Sequence, residues 1–169
     1  MELGSEEKSY IREHAGEGYE LLKELAQIPA PSNHEERRTE FCKNWLEKNG
    51  AKGVYVDSAG NVVYPHHVTA TNPVIVFMAH MDVVFSDETP LPWKEEGGRL
   101  CCPGVGDDTA NLVALLLSAR YVAERDLKPS DGCGVLFVCN TGEEGLGNLR
   151  GSRKICEDYG NRIKAFTSF

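Results

Sequence analysis

The apolar residues of this chain recur with two different periods, which predict both helices and strands. Between residues 10 and 28 they recur at steps of three and four, which indicates a helix with one buried face that ends at a proline-rich stretch. Ser32 and Glu35 match the S-x-x-E pattern of a capping box, and a second amphipathic helix is expected to follow and to end at Gly50. A third helix is predicted over residues 112–123.

Short apolar stretches between these helices predict strands. Residues 53–57 and 61–64 flank a glycine-containing turn and are expected to form a hairpin. Residues 74–79 and 135–139 are apolar without alternation, which is typical of parallel strands covered on both faces. Residues 163–169 have the pattern of another buried strand. Strands that alternate with helices predict an α/β fold, with a mostly parallel sheet and helices on both faces.

The composition is that of one folded, soluble domain. The 169 residues include 18 Lys and Arg against 26 Asp and Glu, a formal net charge of −8. The chain has no basic cluster that would bind nucleic acid or anionic lipid, no long apolar run and no signal-peptide pattern, so we expect neither partner and a cytoplasmic location. The six cysteines are expected to be free and mostly buried. Residues 86–103 form a long irregular connection of a kind that is often functional.

Candidate metal ligands follow two of the predicted strands and precede the third helix. They are one imidazole and five carboxylates, namely His80, Asp82, Asp107, Asp108, Glu143 and Glu144. In an open α/β sheet, ligands bind at the carboxyl ends of the strands, where segments that follow neighbouring strands meet. The sequence therefore predicts that these side chains converge on one edge of the sheet.

Each pair taken alone also fits an ordinary structural role. His80 fits a hydrogen-bonded core histidine that Asp82 orients, and the aspartate pair fits the acidic residues of a helix N-terminus. Two adjacent glutamates at the end of a buried strand repel each other unless a cation or a shared proton offsets the repulsion. Together the three sets favour Zn²⁺ or a similar divalent ion, with a carboxylate able to bridge two ions. Such a pair activates water for amide hydrolysis, and a nearby carboxylate takes the proton.

Four segments resemble, in order, the motifs of the co-catalytic zinc exopeptidases and deacylases, a family that includes tripeptidase T, glutamate carboxypeptidase and acetylornithine deacetylase. They are the N-terminal segment at residues 28–36, the H-x-D motif at residues 79–84, the bridging-aspartate motif at residues 106–108 and the E-E motif with its glycine-rich turn at residues 141–151. The resemblance implies a zinc-exopeptidase-like fold and hydrolysis of an amide bond in small peptides. The amino-acid sequences of the last two motifs are more similar to those of the tripeptidase-like branch.

The resemblance also implies roles for five residues by their motif positions. His80 is implied to bind one ion, Glu144 to bind the second, and Asp107 to bridge both. Glu143 is implied as the general base, and Asp82 as the catalytic-site residue that holds the His80 ring. The cofactor expected is therefore two divalent metal ions, zinc in the first place, with cobalt or manganese as alternatives. A cis peptide bond is implied directly after Asp107.

The chain departs from the family pattern in two ways. Thr109 and Asn111 stand where many relatives have Lys and Gly, and we expect altered local packing without loss of metal. The family also has a further Asp ligand at the end of the next strand and a distant His ligand beyond a lid domain, whereas this chain stops at Phe169. We therefore expect residues 1–169 to be the N-terminal portion of a catalytic domain, with metal weakly bound or absent and no activity alone. Oligomers through the missing lid domain or an exposed sheet edge are also expected.

Three other interpretations stay open at this point. Gly104 and Gly106 lie between a strand and a helix as in a phosphate-binding loop, but Thr109 occupies the third glycine position and the aspartates would repel a phosphate. A deacylase of N-acyl amino acids shares every motif named above. A non-catalytic protein that has kept the fold is the third, and the gene sequence beyond Phe169 would distinguish it from a truncated enzyme.

Overall fold

The computed structural model describes residues 3–85 and 90–169. Within these ranges the helices are α1 (Ser5–Ala26), α2 (Glu36–Lys48), α3 (Ala110–Glu124) and α4 (Arg150–Tyr159). The strands are β1 (Tyr55–Val56), β2 (Val62–His66), β3 (Val74–His80), β4 (Lys94–Glu96), β5 (Arg99–Cys101), β6 (Gly134–Asn140) and β7 (Ile163–Ser168).

Five of the strands form one sheet in the order β1-β2-β6-β3-β7. β6, β3 and β7 are parallel, whereas β1 and β2 form an antiparallel hairpin that pairs with the other side of β6. The β3–β6 ladder runs from Val74 opposite Gly134 to His80 opposite Asn140. Both strands therefore end at the same edge, and the residues that follow β3 lie beside those that follow β6. β4 and β5 pair with each other in a separate hairpin.

Helices cover both faces of this sheet. α1, α2 and α3 pack on one face, where Leu25, Leu46 and Leu116 belong to one buried cluster with strand side chains. α4 covers the other face, where Ile155 packs with Val76 and its neighbours. β3 and β6 are thus enclosed from both sides, which explains why their sequences are apolar without alternation.

The structure confirms the predicted α/β fold, including the three predicted helices, the hairpin and the parallel strands. The sequence pattern does not indicate α4, because its residues are mostly polar and only Gly151 and Ile155 are buried. Residues 90–103 are less irregular than expected, since they contain the β4–β5 hairpin. The rest of that predicted connection includes residues 86–89, which lie outside the described residues.

The capping-box prediction is wrong. α2 begins directly after Glu35, whose side chain makes no capping hydrogen bond to the first turn. Ser32 Oγ instead donates to the Asp82 carboxylate at 2.7 Å. The Glu35 carboxylate accepts the main-chain N–H groups of Asn33 and Gly142, each at 2.9 Å. Both side chains therefore hold loops at the carboxyl edge of the sheet, and neither stabilises the helix end.

The six cysteines are free thiols, and the expectation of burial is correct for half of them. Cys42, Cys133 and Cys139 are buried, whereas Cys101 and Cys156 are exposed. A separate finding concerns the helices: in residues 3–85 and 90–169, none has the length and apolar character that crossing a membrane requires.

Candidate metal centre

The six acidic and imidazole side chains singled out from the sequence meet at the carboxyl edge of β3 and β6. His80 is the last residue of β3, and the glutamate pair comes shortly after β6. The turn at residues 105–109 brings the aspartate pair to the same edge, because it leads into α3 on the face of the sheet. One donor atom each from His80, Asp107 and Glu144 lies within 4.8 Å of the others.

The buried His80 ring faces hydrogen-bond acceptors on both of its nitrogens. Nδ1 lies 2.9 Å from the main-chain carbonyl oxygen of Asp82, and Nε2 lies 3.2 Å from Asp107 Oδ1. Because a carbonyl oxygen only accepts, Nδ1 carries a proton, and Nε2, which has a lone pair only in the neutral ring, points toward a carboxylate. Glu143 Oε2 adds a second negative group 3.9 Å from Nε2. Acceptors this close to each other require a cation between them, either a proton or a metal ion.

The negative surroundings of His80 favour its protonated form when no metal is bound. Burial by itself lowers the pKa of the imidazole, but the Asp82 carboxylate, with Oδ1 3.6 Å from Nδ1, and the nearby Asp108 and Asp107 raise it to about 9. The field that holds a proton on Nε2 also attracts a divalent ion to the same position, so the donor set fits a metal.

Asp82 connects the two loops of the site through a fully buried carboxylate. It accepts hydrogen bonds from Ser32 Oγ at 2.7 Å and from the main-chain N–H groups of Glu143 and Glu144 at 3.0 and 2.9 Å. Burial raises the pKa of this carboxyl, but His80 and the three donors have the larger combined effect and lower it to about 2. Asp82 is therefore ionised, and it fixes the main chain of both glutamates beside the histidine.

The turn before α3 exposes one aspartate and buries the next. The Asp107 side chain is 82% exposed, whereas Asp108 is 2% exposed. The peptide bond between them is cis, as the motif resemblance implies. Asp108 accepts the main-chain N–H of His80 at 3.0 Å and the Asn111 side-chain amide at 2.6 Å. Asp108 thus holds the turn to the end of β3, while Asp107 is free to bind a ligand from outside.

Gly104 and Thr109 hold this turn in place. Gly104 has a φ of 71°, and a Cβ at this position would lie 2.3 Å from Cγ1 of Val83. Glycine is therefore required for the turn to pack against the loop that follows β3. Thr109 Oγ1 donates to the Gly104 carbonyl at 2.7 Å. The two positions that depart from the family pattern, Thr109 and Asn111, thus both stabilise the turn through hydrogen bonds.

Glu35 supports the loop that carries the glutamate pair. Its buried carboxylate accepts the main-chain N–H of Gly142 and pairs with Arg150 at 3.0 Å. Burial raises the pKa of Glu144, and the negative charge of Asp107 raises it further. Neither Glu35 nor Ser32 is predicted as a site residue, because their partners Asp82, Gly142 and Arg150 lie from 50 to 115 positions away along the chain.

A second group of imidazole and carboxylate donors lies at the opposite end of the sheet. Donor atoms of His66, His67 and Asp126 lie within 4.8 Å of one another. His66 Nε2 donates to the Leu127 carbonyl at 2.7 Å, and its Nδ1 is 2.8 Å from the Tyr64 hydroxyl. His67 Nε2 is 2.6 Å from Asp126 Oδ1. Both His66 nitrogens thus face complementary partners, whereas His67 Nε2 is buried in ion-pair contact with Asp126 without a hydrogen bond.

A curated protein and several solved structures resemble this chain. Over 102 residues the chain is 34% identical to a protein named as a LysW-lysine/LysW-ornithine hydrolase of Pyrococcus abyssi, in an alignment that covers 60% of this chain and 28% of that protein. The aminopeptidase PepT of Bacillus cereus matches with a TM-score of 0.68 and 19% identity, over 90% of this chain and 42% of its own. Human carnosine dipeptidase 1 matches with a TM-score of 0.71 and 17% identity, over 95% of this chain and 39% of its own.

These comparisons agree on the fold and on a difference in length. The chain spans less than half the length of each of the three proteins. The family model for peptidase family M20/M25/M40 matches residues 76–168, which is more than half of the chain and includes His80, Asp107 and the glutamate pair. The chain therefore belongs to peptidase family M20/M25/M40.

Proposed function

We propose that this chain supplies the central part of the metal site of an amide hydrolase that acts on small peptides. The observation that carries the proposal is the His80 ring, whose Nε2 lone pair faces the Asp107 carboxylate at 3.2 Å with Glu144 within reach. A group of acceptors around one point is the arrangement that a divalent cation stabilises.

His80 and Asp107 would hold one ion, and Glu144 with Asp107 would hold the second. One imidazole with carboxylates suits zinc, which we propose as the metal, and cobalt or manganese would be accepted by the same donors. When bound, the ions supply Lewis-acid activation of water and of the scissile carbonyl group. The 82% exposure of the bridging Asp107 leaves the site open to substrate from the solvent side.

The residues around these donors have distinct proposed roles. Glu143 is the general base, because its carboxylate lies at the rim of the site, with Oε2 3.9 Å from His80 Nε2, and is one-third exposed. Asp82 is the residue that orients the site. Its carbonyl oxygen accepts the Nδ1 proton of His80, and its carboxylate fixes the main chain of Glu143 and Glu144.

Two substrate classes are candidates, and both require hydrolysis of an amide bond. We favour di- or tripeptides with a free N-terminus, since aminopeptidase PepT and a carnosine dipeptidase share the fold and the motif wording is nearer to the tripeptidase-like branch. The second candidate is hydrolysis of N-acyl amino acids by a deacylase. It is supported by the 34% identity with the LysW-lysine/LysW-ornithine hydrolase.

We also propose that residues 1–169 form the N-terminal portion of a longer catalytic domain. Among the described residues, each ion finds only two donors, while the relatives are more than twice as long. The chain alone is therefore expected to bind metal weakly and to be inactive. β7 lies at the edge of the sheet, where a further strand, a lid domain or a second copy would add. We keep the cytoplasm as the proposed location.

The test compares the 169-residue chain with a longer protein translated from the same gene, both assayed in excess Zn²⁺ against tripeptides, dipeptides and N-acyl amino acids. We expect background rates for the short chain and peptide hydrolysis by the longer one. In the longer protein, Glu143→Gln should lower kcat by about 10²- to 10⁴-fold. Turnover by the short chain would contradict its incompleteness. A longer protein that binds zinc but hydrolyses neither substrate class would favour the non-catalytic alternative, and hydrolysis of N-acyl amino acids alone would favour the second candidate.

A further inference from the structure

Arg38 of α2 is fully buried, yet its hydrogen-bond partners among the described residues are all neutral. Nε donates to the Ile28 carbonyl at 2.8 Å, and Nη2 lies 3.5 Å from the Ala26 carbonyl. Nη1 donates both to the Met81 carbonyl at 2.9 Å and to Thr109 Oγ1 at 3.1 Å. The nearby Asp82 carboxylate attracts the guanidinium charge but accepts none of these hydrogen bonds. A buried charge that is not directly hydrogen-bonded to an ionised group is expensive in free energy, and an apolar side chain of similar volume would avoid the cost. A role for the charge and its donors is therefore expected.

The acceptors of Arg38 Nη1 belong to the two segments that carry the first pair of metal donors. Met81 is the residue between His80 and Asp82, and Thr109 belongs to the same turn as Asp107. A single nitrogen atom therefore connects the loop after β3 to the turn before α3. The other nitrogens anchor the guanidinium to the end of α1, which makes the connection rigid.

Arg38 keeps its charge in this environment. Burial lowers its pKa to about 10, which leaves the guanidinium protonated with all of its donors near neutral pH. A planar cation with donors in a fixed fork suits a site where several carbonyl oxygens converge, and neither lysine nor a neutral side chain offers the same geometry.

We propose that Arg38 is a positioning residue of the metal centre, which sets the separation between His80 Nε2 and Asp107 Oδ1 through the Met81 carbonyl and the Thr109 hydroxyl. Among the described residues, Arg38 makes no hydrogen bond to the side chain of a proposed metal ligand, so its effect on the metal is indirect. This inference rests on the proposed function, because it needs an ion held by His80 and Asp107.

Arg120 of α3 provides a matched control. Its side chain is nearly as buried, but it pairs with the Glu17 carboxylate, with Nη2 3.0 Å from Oε2, and Nε donates to the Tyr10 hydroxyl at 2.8 Å. These contacts join α3 to α1, and none involves the loops of the metal centre. Removal of either arginine costs stability, whereas only Arg38 is expected to affect the metal.

The test is a Zn²⁺ titration of the 169-residue chain and its variants, followed by the ring-nitrogen NMR signals of the histidines, with His80→Asn used for assignment. Arg38→Met should weaken zinc binding at His80 by about 10- to 100-fold, the usual effect of losing a supporting contact. It should also shift the His80 ring signals before zinc is added. Arg120→Met should lower Tm but leave the zinc affinity within about twofold of the wild type.

A second pair of variants covers the case in which Arg38→Met does not fold. Thr109→Val removes one acceptor of Arg38 and should weaken zinc binding, whereas Thr109→Ser keeps the hydroxyl and should restore wild-type affinity. Unchanged zinc affinity in Arg38→Met, or in Thr109→Val where Arg38→Met is unfolded, would overturn the inference, as would equal losses in the two arginine variants. In the longer protein, whose site is proposed to be complete, the absence of any zinc-dependent shift at His80 would overturn the proposed function as well.

Discussion

Two buried histidines, His80 and His66, lie at opposite ends of the same sheet and differ in the hydrogen-bonding groups around their ring nitrogens. At His80 both ring nitrogens face acceptors, the Asp82 carbonyl and the Asp107 carboxylate. At His66 one nitrogen donates to a carbonyl oxygen and the other is next to a hydroxyl that can donate. The pKa of His80 is accordingly raised to about 9 against the effect of burial, whereas burial lowers the pKa of His66.

The difference shows what distinguishes a metal site from a hydrogen-bonded cluster of the same composition. Both regions bring imidazole and carboxylate donors within 4.8 Å of one another. Nε2 of His80 faces two carboxylates, Asp107 and Glu143, whereas both nitrogens of His66 have neutral, complementary partners. The orientation of the ring, set by the hydrogen bond on its other nitrogen, therefore matters more than the proximity of the donors.

The largest effect expected from this comparison is on zinc affinity. Glu144→Gln keeps the shape of the side chain but removes the charge, and it should weaken zinc binding at the centre at least about a hundredfold. Asp126→Asn makes the same kind of change in the group formed by His66, His67 and Asp126, and it should leave the zinc affinity unaltered. Calorimetry gives the affinities, and histidine NMR locates the ion. Zinc-dependent shifts at His66 and His67 in place of His80 would reverse the comparison.

The next effect is on folding stability. Asp82→Asn replaces an acceptor of three hydrogen bonds with an amide that presents a donor to at least one of them, and we expect a loss of about 2–4 kcal/mol in the free energy of unfolding. Asp126→Asn, in an exposed ion pair, should cost less than about 1 kcal/mol. Urea unfolding of the metal-free chains measures both. Equal losses would show that Asp82 is no more important to the fold than a surface carboxylate.

The sequence predicts that the candidate donors meet at one edge of the sheet because of where they lie relative to the strands. The apolar runs of β3 and β6 mark buried parallel strands, and parallel strands end at one edge, so residues that follow them meet there. His80 and the glutamate pair can therefore be placed together without any knowledge of side-chain contacts, whereas Asp107 precedes α3 and its role as a ligand is implied by the motif resemblance. The same argument gives no information about His66, which ends an antiparallel strand.

The residues that hold the loops of the site in place cannot be predicted from strand positions. Ser32 and Glu35 match a local capping pattern, but their actual partners are brought close only by the fold. Arg38 lies on a helix whose buried face is already indicated by its apolar residues. A single arginine adds nothing to that pattern, so its burial cannot be predicted from the spacing. α4 has too few apolar residues to stand out, although Ile155 is enough to cover its face of the sheet.

A smaller effect on stability and hydrogen exchange distinguishes two roles for Ser32, a cap of α2 or a hydrogen bond to the Asp82 carboxylate. If its hydroxyl supports Asp82, Ser32→Ala should lower the free energy of unfolding by about 1 kcal/mol and speed hydrogen exchange at the amides of Glu143 and Glu144. The first turn of α2 should exchange as before. Ser118→Ala removes an exposed hydroxyl that donates to the Ala114 carbonyl within α3, and it serves as the control. Faster exchange confined to the start of α2 would restore the capping interpretation.

The last prediction concerns the titration of the two histidines in the metal-free chain. The His80 ring should titrate near pH 9, and the His66 ring should titrate below the usual 6.5. Since the folded state holds the His80 proton more tightly than the unfolded state, the stability that His80 contributes is full below pH 6.5 and is lost as the pH rises through 9. The stability contribution of His66 depends on pH in the opposite direction, because below pH 6.5 the unfolded state takes up the proton first, so stability falls as the pH is lowered.

Ring-nitrogen NMR over this range measures both pKa values, and saturating Zn²⁺ should remove the titration step near pH 9 while His66 titrates unchanged. Two rings that titrate together near 6.5 would contradict the distinction between the two clusters.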